Sequence, residues 1–141
     1  MDASNEVILL SFGSTVEAFP QDVLARFHEA FSQIAQTVVM RQSLSPVIEV
    51  PPNVYVTPKW LPQNDILGHA KTVLFINHCG NNGQYESLYH GVPLIGIPMF
   101  GDQFHNCHRA EAHGYGLDMR GIHEFSADDL VKAIHEVIQN P

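Results

Sequence analysis

At 141 residues the chain is the size of one domain, large enough to bury a core without disulfide or metal support. Its composition, 45% hydrophobic and 16% charged, is that of an ordinary globular protein. With 15 Asp+Glu against 7 Lys+Arg the formal charge is −8, which argues against a nucleic-acid partner. Any phosphate must then be met by backbone N–H groups, helix dipoles and a few placed side chains. No apolar run approaches the ~20 residues of a membrane span, and the opening M-D-A-S-N-E lacks a signal-peptide pattern.

The chain begins at once with a buried-strand pattern, Glu6 to Phe12, running into Gly13-Ser14-Thr15. From Pro20 to Ala35, Val23, Leu24, Phe27, Phe31 and Ile34 recur at helical spacing, with Pro20 suited to the first turn. Thr37 to Arg41 is β-branched and short, a second strand. A polar loop over 42–52 leads to a third strand, Asn53 to Thr57. Pro58 and Pro62 bracket Trp60, which disfavours helix there and holds the ring on a stiff loop.

Val73 to Ile76 is the next strand, followed by His78-Cys-Gly-Asn-Asn-Gly83 and a helix through about His90. Gly91-Val-Pro93 turns the chain into a strand over Leu94 to Ile97, and Asp102 to His113 is a helix ending at Gly114. Ser126-Ala-Asp-Asp129 resembles a capping box, and Leu130, Val131, Ile134, Val137 and Ile138 form the last apolar stripe. Alternating strands and helices predict an α/β fold: a Rossmann-like parallel sheet with helices on both faces. The chain opens on a strand and stops at a helix end, so 1–141 reads as a single excised domain.

In such a sheet ligands bind beyond the C-terminal ends of the strands, where helices begin. Ser14, Arg41, Trp60, His78 to Gly83, and Asp102 with Gln103 all fall at such ends. A lone Trp usually packs in a core, but a planar ring on a loop can also stack on a base. His78 offers a side-chain donor ahead of a helix start, and Gly80 and Gly83 let backbone approach a ligand such as a diphosphate. Glu86 lies one helical turn beyond Asn82, on the same side, where its carboxylate can accept from a vicinal diol. Asp102 is otherwise a good N-cap, and both roles can hold together.

The ordered run W-L-P-Q-N-D-I-L-G-H, N-H-C-G-N-N-G-Q-Y-E-S, G-V-P-L-I-G-I-P and G-D-Q resembles the signature of the family-1 UDP-glycosyltransferases. The resemblance runs from about Val7 to the C-terminus. It implies the C-terminal, donor-binding half of an inverting GT-B glycosyltransferase, metal-independent, which conjugates small lipophilic acceptors from UDP-glucuronate or UDP-glucose. In that family Trp60 would lie against uracil, Leu61 would offer its backbone to the base edge, and Gln63 would lie near base or ribose. His78, Asn82 and Gly83 would contact the phosphates, faced by Ser14 and Arg41. Glu86 would take the ribose hydroxyls, and Asp102 and Gln103 the transferred sugar. The family's catalytic base lies on the N-terminal acceptor-binding half, so none of the nine histidines here is assigned that role. The resemblance also implies a parent enzyme in the endoplasmic reticulum membrane, facing the lumen. Cys79 stands where many animal members have glycine, as in plant members. Asn81 stands where plant members carry a sugar-facing Trp, and Met40 where an aromatic usually precedes the Arg.

Other chemistries fit less well. On a helix His105 and Cys107 point to opposite sides and His108 has no ligand-like partner at i+4, so no metal site and no cofactor are expected. The first strand runs into F-G-S-T rather than G-x-G-x-x-G, which argues against a nicotinamide site. Cys79 and Cys107 are too few for a disulfide scaffold, but one bridge between them stays open, and with it the redox compartment. Two alternatives compete with the conjugating enzyme: the separate donor subunit of a split N-acetylglucosaminyltransferase, and a non-catalytic nucleotide-sugar-binding module.

Overall fold

The computed structural model describes residues 6–11, 21–41, 51–57, 62–98, 102–119 and 125–139, without the side chains of Gln21, Arg41, Asn81 and Asn82. Its strands are β1 (Val7–Leu10), β2 (Thr37–Arg41), β3 (Val54–Thr57), β4 (Thr72–Asn77), β5 (Leu94–Gly96) and β6 (Gly116–Asp118). They form one six-stranded sheet in the order β3-β2-β1-β4-β5-β6, with every neighbouring pair parallel. The helices are α1 (Gln21–Phe31), α2 (Gln63–Leu67), α3 (Asn81–His90), α4 (Gln103–Ala112) and α5 (Ala127–Gln139). The predicted α/β architecture with a parallel, Rossmann-like sheet is the observed one.

Strand composition follows from burial on both faces. Along β1, Ile8 and Leu10 join a cluster with Val23, Phe27 and Phe31 of α1 and Leu130 and Ile134 of α5. Leu9, between them, points the other way with Phe75 and Leu94, against Leu67 of α2 and Ala110 of α4. A strand covered on both sides has no polar face to show, which is why V-I-L-L reads as an unbroken apolar run. The order reverses between β1 and β4, and in open parallel sheets ligands bind beyond the carboxyl ends of the strands at such a switch point.

Local chemistry fixes the element ends. Ser126 and Asp129 form the reciprocal cap: the Asp129 amide donates to Ser126 Oγ at 3.1 Å, and the Ser126 amide donates to Asp129 Oδ2 at 3.2 Å. The hydrogen bonds from Ser126 hold the Asp129 carboxyl below its ordinary range. Gly91 closes α3 at φ 70, a left-handed position that glycine takes without strain. Arg26 ties α1 to the start of α5, donating to the Phe125 carbonyl at 2.7 Å with its guanidinium 4.9 Å above the Phe125 ring.

Three elements differ from the sequence reading. Helix α1 stops at Phe31 rather than Ala35, and Asn53 Nδ2 donates to the carbonyl of Phe31, the last helical residue, at 2.8 Å and to that of Gln36 beyond the helix at 2.9 Å. Helix α2 starts directly after Pro62, whose disfavoured position is inside a helix rather than before one. Strand β6 is three half-buried residues beside β5, too short for periodicity to register.

Candidate functional site

The candidate site is built at the carboxyl end of β4. Asn77 is the last strand residue, and the chain turns through His78, Cys79 and Gly80 into the first turn of α3. Cys79 sits at φ 69, the one positive-φ non-glycine residue among those described. Its conformation is held at both backbone groups. The Cys79 amide donates to Asn77 Oδ1 at 3.0 Å, and the Cys79 carbonyl accepts from Asn106 Nδ2 of α4 at 3.1 Å. The Cys79 sulfur is also joined to Cys107 of α4 by a disulfide, which settles the cysteine pairing left open by the sequence.

The glycines of the loop are there for close approach. A Cβ on Gly80 would come within 2.9 Å of His78 Nε2, so the bare backbone lets the imidazole fold back over the helix start. A Cβ on Gly83 would lie 2.6 Å from Asn77 Nδ2 and 3.3 Å from the Phe75 ring. The imidazole, the free N–H groups of the first turn and the positive helix end therefore converge on one edge of the sheet. His78 is half-buried. Its desolvation lowers its pKa from the ordinary histidine value, and the carboxylate of Asp102 pulls in the opposite direction.

Asp102 thus acts electrostatically on His78 although 24 residues separate them, because the neighbouring strands β4 and β5 both lead, at their carboxyl ends, toward this part of the molecule. Asp102 is exposed, whereas Gln103, which opens α4, is buried. The cap expected from Asp102 is not made by its side chain: the residue is helical, at φ −68 and ψ −11, with no side-chain capping bond. Its carboxylate is therefore not engaged in closing its own helix.

One helical turn further along α3, Gln63 Nε2 donates to Glu86 Oε2 at 3.4 Å, bringing together two residues that lie 23 positions apart. Both are half-buried at the junction of α2 and α3. Of the remaining candidates, Ser14, Trp60 and Leu61 lie outside the described residues. Arg41 and Asn82 are placed by backbone alone, at the end of β2 and in the first turn of α3. Among the described residues no three His, Cys, Asp or Glu side chains group as a metal-ion site. An apolar hollow of about 280 Å³ between Val7, Val39, Ile66 and Thr72 opens near the strand beginnings, and none of the site residues lines it.

Sequence reasoning missed the layer beneath the loop. Gln84, buried, donates to the Asn106 carbonyl at 3.0 Å and accepts from Arg109 at 3.3 Å, so α3 and α4 meet through polar groups. No periodicity marks this, since α3 buries Gln84 and Ser87 while exposing Tyr85, Leu88 and Tyr89. A polar residue facing inward from a helix with aromatic residues outside was the available signal.

The parallel order, the switch point and the glycine-bearing helix start define a Rossmann-like α/β domain of the kind found in GT-B glycosyltransferases. The glycotransferase of kitacinnamycin superposes with a TM-score of 0.86 at 26% identity, over 100% of this chain and 36% of that one. Os79 from O. sativa, solved in complex with UDP, shares the fold with a TM-score of 0.83 at 23% identity, over 95% of this chain and 32% of its own. The family profile described as "UDP-glucoronosyl and UDP-glucosyl transferase" matches residues 2–141, and the chain belongs to that family. UDP-glucuronosyltransferase 2B17 of Rattus norvegicus is 41% identical over 96% of this chain, and UDP-glucuronosyltransferase 1A9 of Mus musculus 40% over 99%. The chain spans about a quarter of the length of these relatives, 25% and 26%.

Proposed function

We propose that this chain is the donor-binding domain of a UDP-glycosyltransferase, holding a UDP-sugar for direct transfer to an acceptor carried on the enzyme's other half. The observation that carries the reading is the convergence of His78, the bare glycine helix start of α3 and Asp102 at one sheet edge. The Gln63–Glu86 pair lies one helical turn further on.

Each part has a chemical task in this reading. The diphosphate lies on the first-turn N–H groups of α3 and the His78 imidazole, with Asn82, Ser14 and Arg41 as further contacts. The ribose hydroxyls donate to Glu86, which Gln63 orients. The base stacks on Trp60, with the Leu61 backbone at its edge. Asp102 and Gln103, beside the phosphate site, accept from and donate to the hydroxyls of the sugar. When the acceptor attacks the anomeric carbon with inversion, the bond to the β-phosphate oxygen breaks and UDP gains negative charge. Preorganised N–H donors and the helix dipole stabilise that charge as it develops. Backbone and imidazole donors suffice for the charge in this scheme, so no metal ion takes part.

By the same reading the base that deprotonates the acceptor lies on an N-terminal domain, and the donor is UDP-glucuronate or UDP-glucose for small lipophilic acceptors. The parent enzyme then works at the endoplasmic reticulum membrane, facing its lumen. Among the described residues no helix is long and apolar enough to cross a membrane. Calorimetric titration with UDP, UDP-glucose and UDP-glucuronate tests the reading. Saturable UDP binding, tightened by one of the two sugars, is the expected result. No binding of any of the three would overturn it.

A further inference from the structure

We propose that the Cys79–Cys107 disulfide and Asn106 are positioning elements of the donor site, which fix the phosphate loop to α4 and make UDP affinity depend on the oxidation state of the bond. The inference rests on the reading of the His78 loop as the diphosphate site. Three restraints converge on one residue: Asn77 takes the Cys79 amide, Asn106 the Cys79 carbonyl, and Cys107 the sulfur. Asn106 and Cys107 are consecutive on α4, one turn after Gln103, so every restraint from that side ties the loop to the helix that begins at the proposed sugar contacts.

The loop needs this help because Cys79 occupies a conformation that suits glycine, at φ 69. Holding a non-glycine residue there costs free energy equivalent to about tenfold in an equilibrium. Released from its tether, the loop is drawn toward ordinary φ values, which redirects the N–H groups that follow Cys79 into α3. Space for the bond is provided from the sheet: a Cβ on Gly96 of β5 would collide with both sulfurs. The bond, its cavity and the strained residue form one unit.

Reduction by a dithiol such as dithiothreitol takes two electrons and two protons into the bond, giving two thiols while the dithiol closes to its own disulfide. The chain as it stands is titrated with UDP before and after this treatment, with thiols counted in each state. The expected count is none before and two after, and the expected loss on reduction is about tenfold in UDP affinity, as the competent loop becomes a minor population. Cys107→Ser should bind like the reduced protein with or without reductant. The double variant Cys79→Gly/Cys107→Ala should melt lower yet bind UDP like the oxidised protein, because glycine takes φ 69 freely. That rescue separates positioning from stability, since a merely structural bond would not be replaced by a glycine.

Two thiols in the untreated protein, or equal UDP affinity in both redox states, would overturn the inference. Amide exchange over 78–83 gives a readout independent of nucleotide. Faster exchange on reduction supports the inference even if UDP fails to bind, in which case the donor-site reading is what fails. Unchanged exchange overturns it in either case.

Discussion

Gly96 offers the sharpest test of how the site is assembled. It ends β5, between Asn77 on β4 and Asp118 on the edge strand β6. A methyl group at this position would overlap Sγ of Cys79 and Sγ of Cys107, while the next contact, Cys107 Cβ, is an ordinary 3.6 Å away. Gly96→Ala must therefore either push α4 off the sheet or prevent the bond. Overpacking of a buried position costs about 1–3 kcal/mol. Losing a bond that closes a loop of sequence separation 28 costs about 3.5 kcal/mol in the chain-entropy picture. A destabilisation of roughly 3 kcal/mol is the expected outcome for the oxidised protein. In a Cys79→Ala/Cys107→Ala background both sulfurs are gone and Cys107's Cβ is retained, so the same change should cost under about 1 kcal/mol. Urea denaturation of the four proteins gives the coupling directly, expected at about 2 kcal/mol or more. Equal costs in the two backgrounds would refute the claim that the sulfurs fill the space beside Gly96.

Burial favours neutral His78, so its folded pKa lies below the ordinary 6.5, and stability falls as pH drops through that value because the unfolded chain takes the proton first. A bound diphosphate reverses the preference: UDP binding near pH 6.5 should take up a proton, read as dependence of the calorimetric heat on buffer ionisation enthalpy and absent in His78→Asn. Glu86→Gln should weaken UDP by about 1.5–3 kcal/mol, the worth of hydrogen bonds to a charged group, while leaving inorganic pyrophosphate affinity unchanged. An equal loss for both ligands would move Glu86 from the ribose. Asp102→Asn with Gln103→Ala should lower UDP-sugar affinity by about 0.5–1.5 kcal/mol per lost hydrogen bond and leave UDP affinity nearly intact. Because Asp102 makes no side-chain cap, its substitution should leave stability within about 0.5 kcal/mol, as thermal melting can check. Chelation by EDTA should leave UDP affinity unaltered, and a clear loss would mean that a divalent ion shares the phosphate site.

Much of the fold was legible because its signals are local and repeated. The apolar runs of β1 and β4 are what doubly covered strands require, and Ser126 with Asp129 marked the start of α5 through chemistry confined to four residues. The site edge was legible from topology, since strand ends in a parallel sheet fall together: Asp102 does act on His78. What the sequence concealed is held by tertiary contact. Helix α3 shows no apolar stripe because Gln84 buries its amide against α4, and only the packed structure gives that amide its partners. The Asn106 bond to Cys79 and the pairing of Cys79 with Cys107 join residues 27 and 28 positions apart, which no periodicity can report. Asp102 looked like a cap because Asp at a helix start usually is one; here the residue is already helical and exposed, with no side-chain capping bond.

The central claim is that UDP sits on the helix start that follows β4, and mapping amide chemical shifts on addition of UDP to isotope-labelled protein tests it most directly. The account predicts saturable shifts concentrated at 78–84 and at Glu86, with the strand beginnings at Val7, Thr37 and Thr72 unmoved. Shifts gathered instead around Val7, Ile66 and Thr72, or spread evenly with no change at His78 and Gly80, would contradict it.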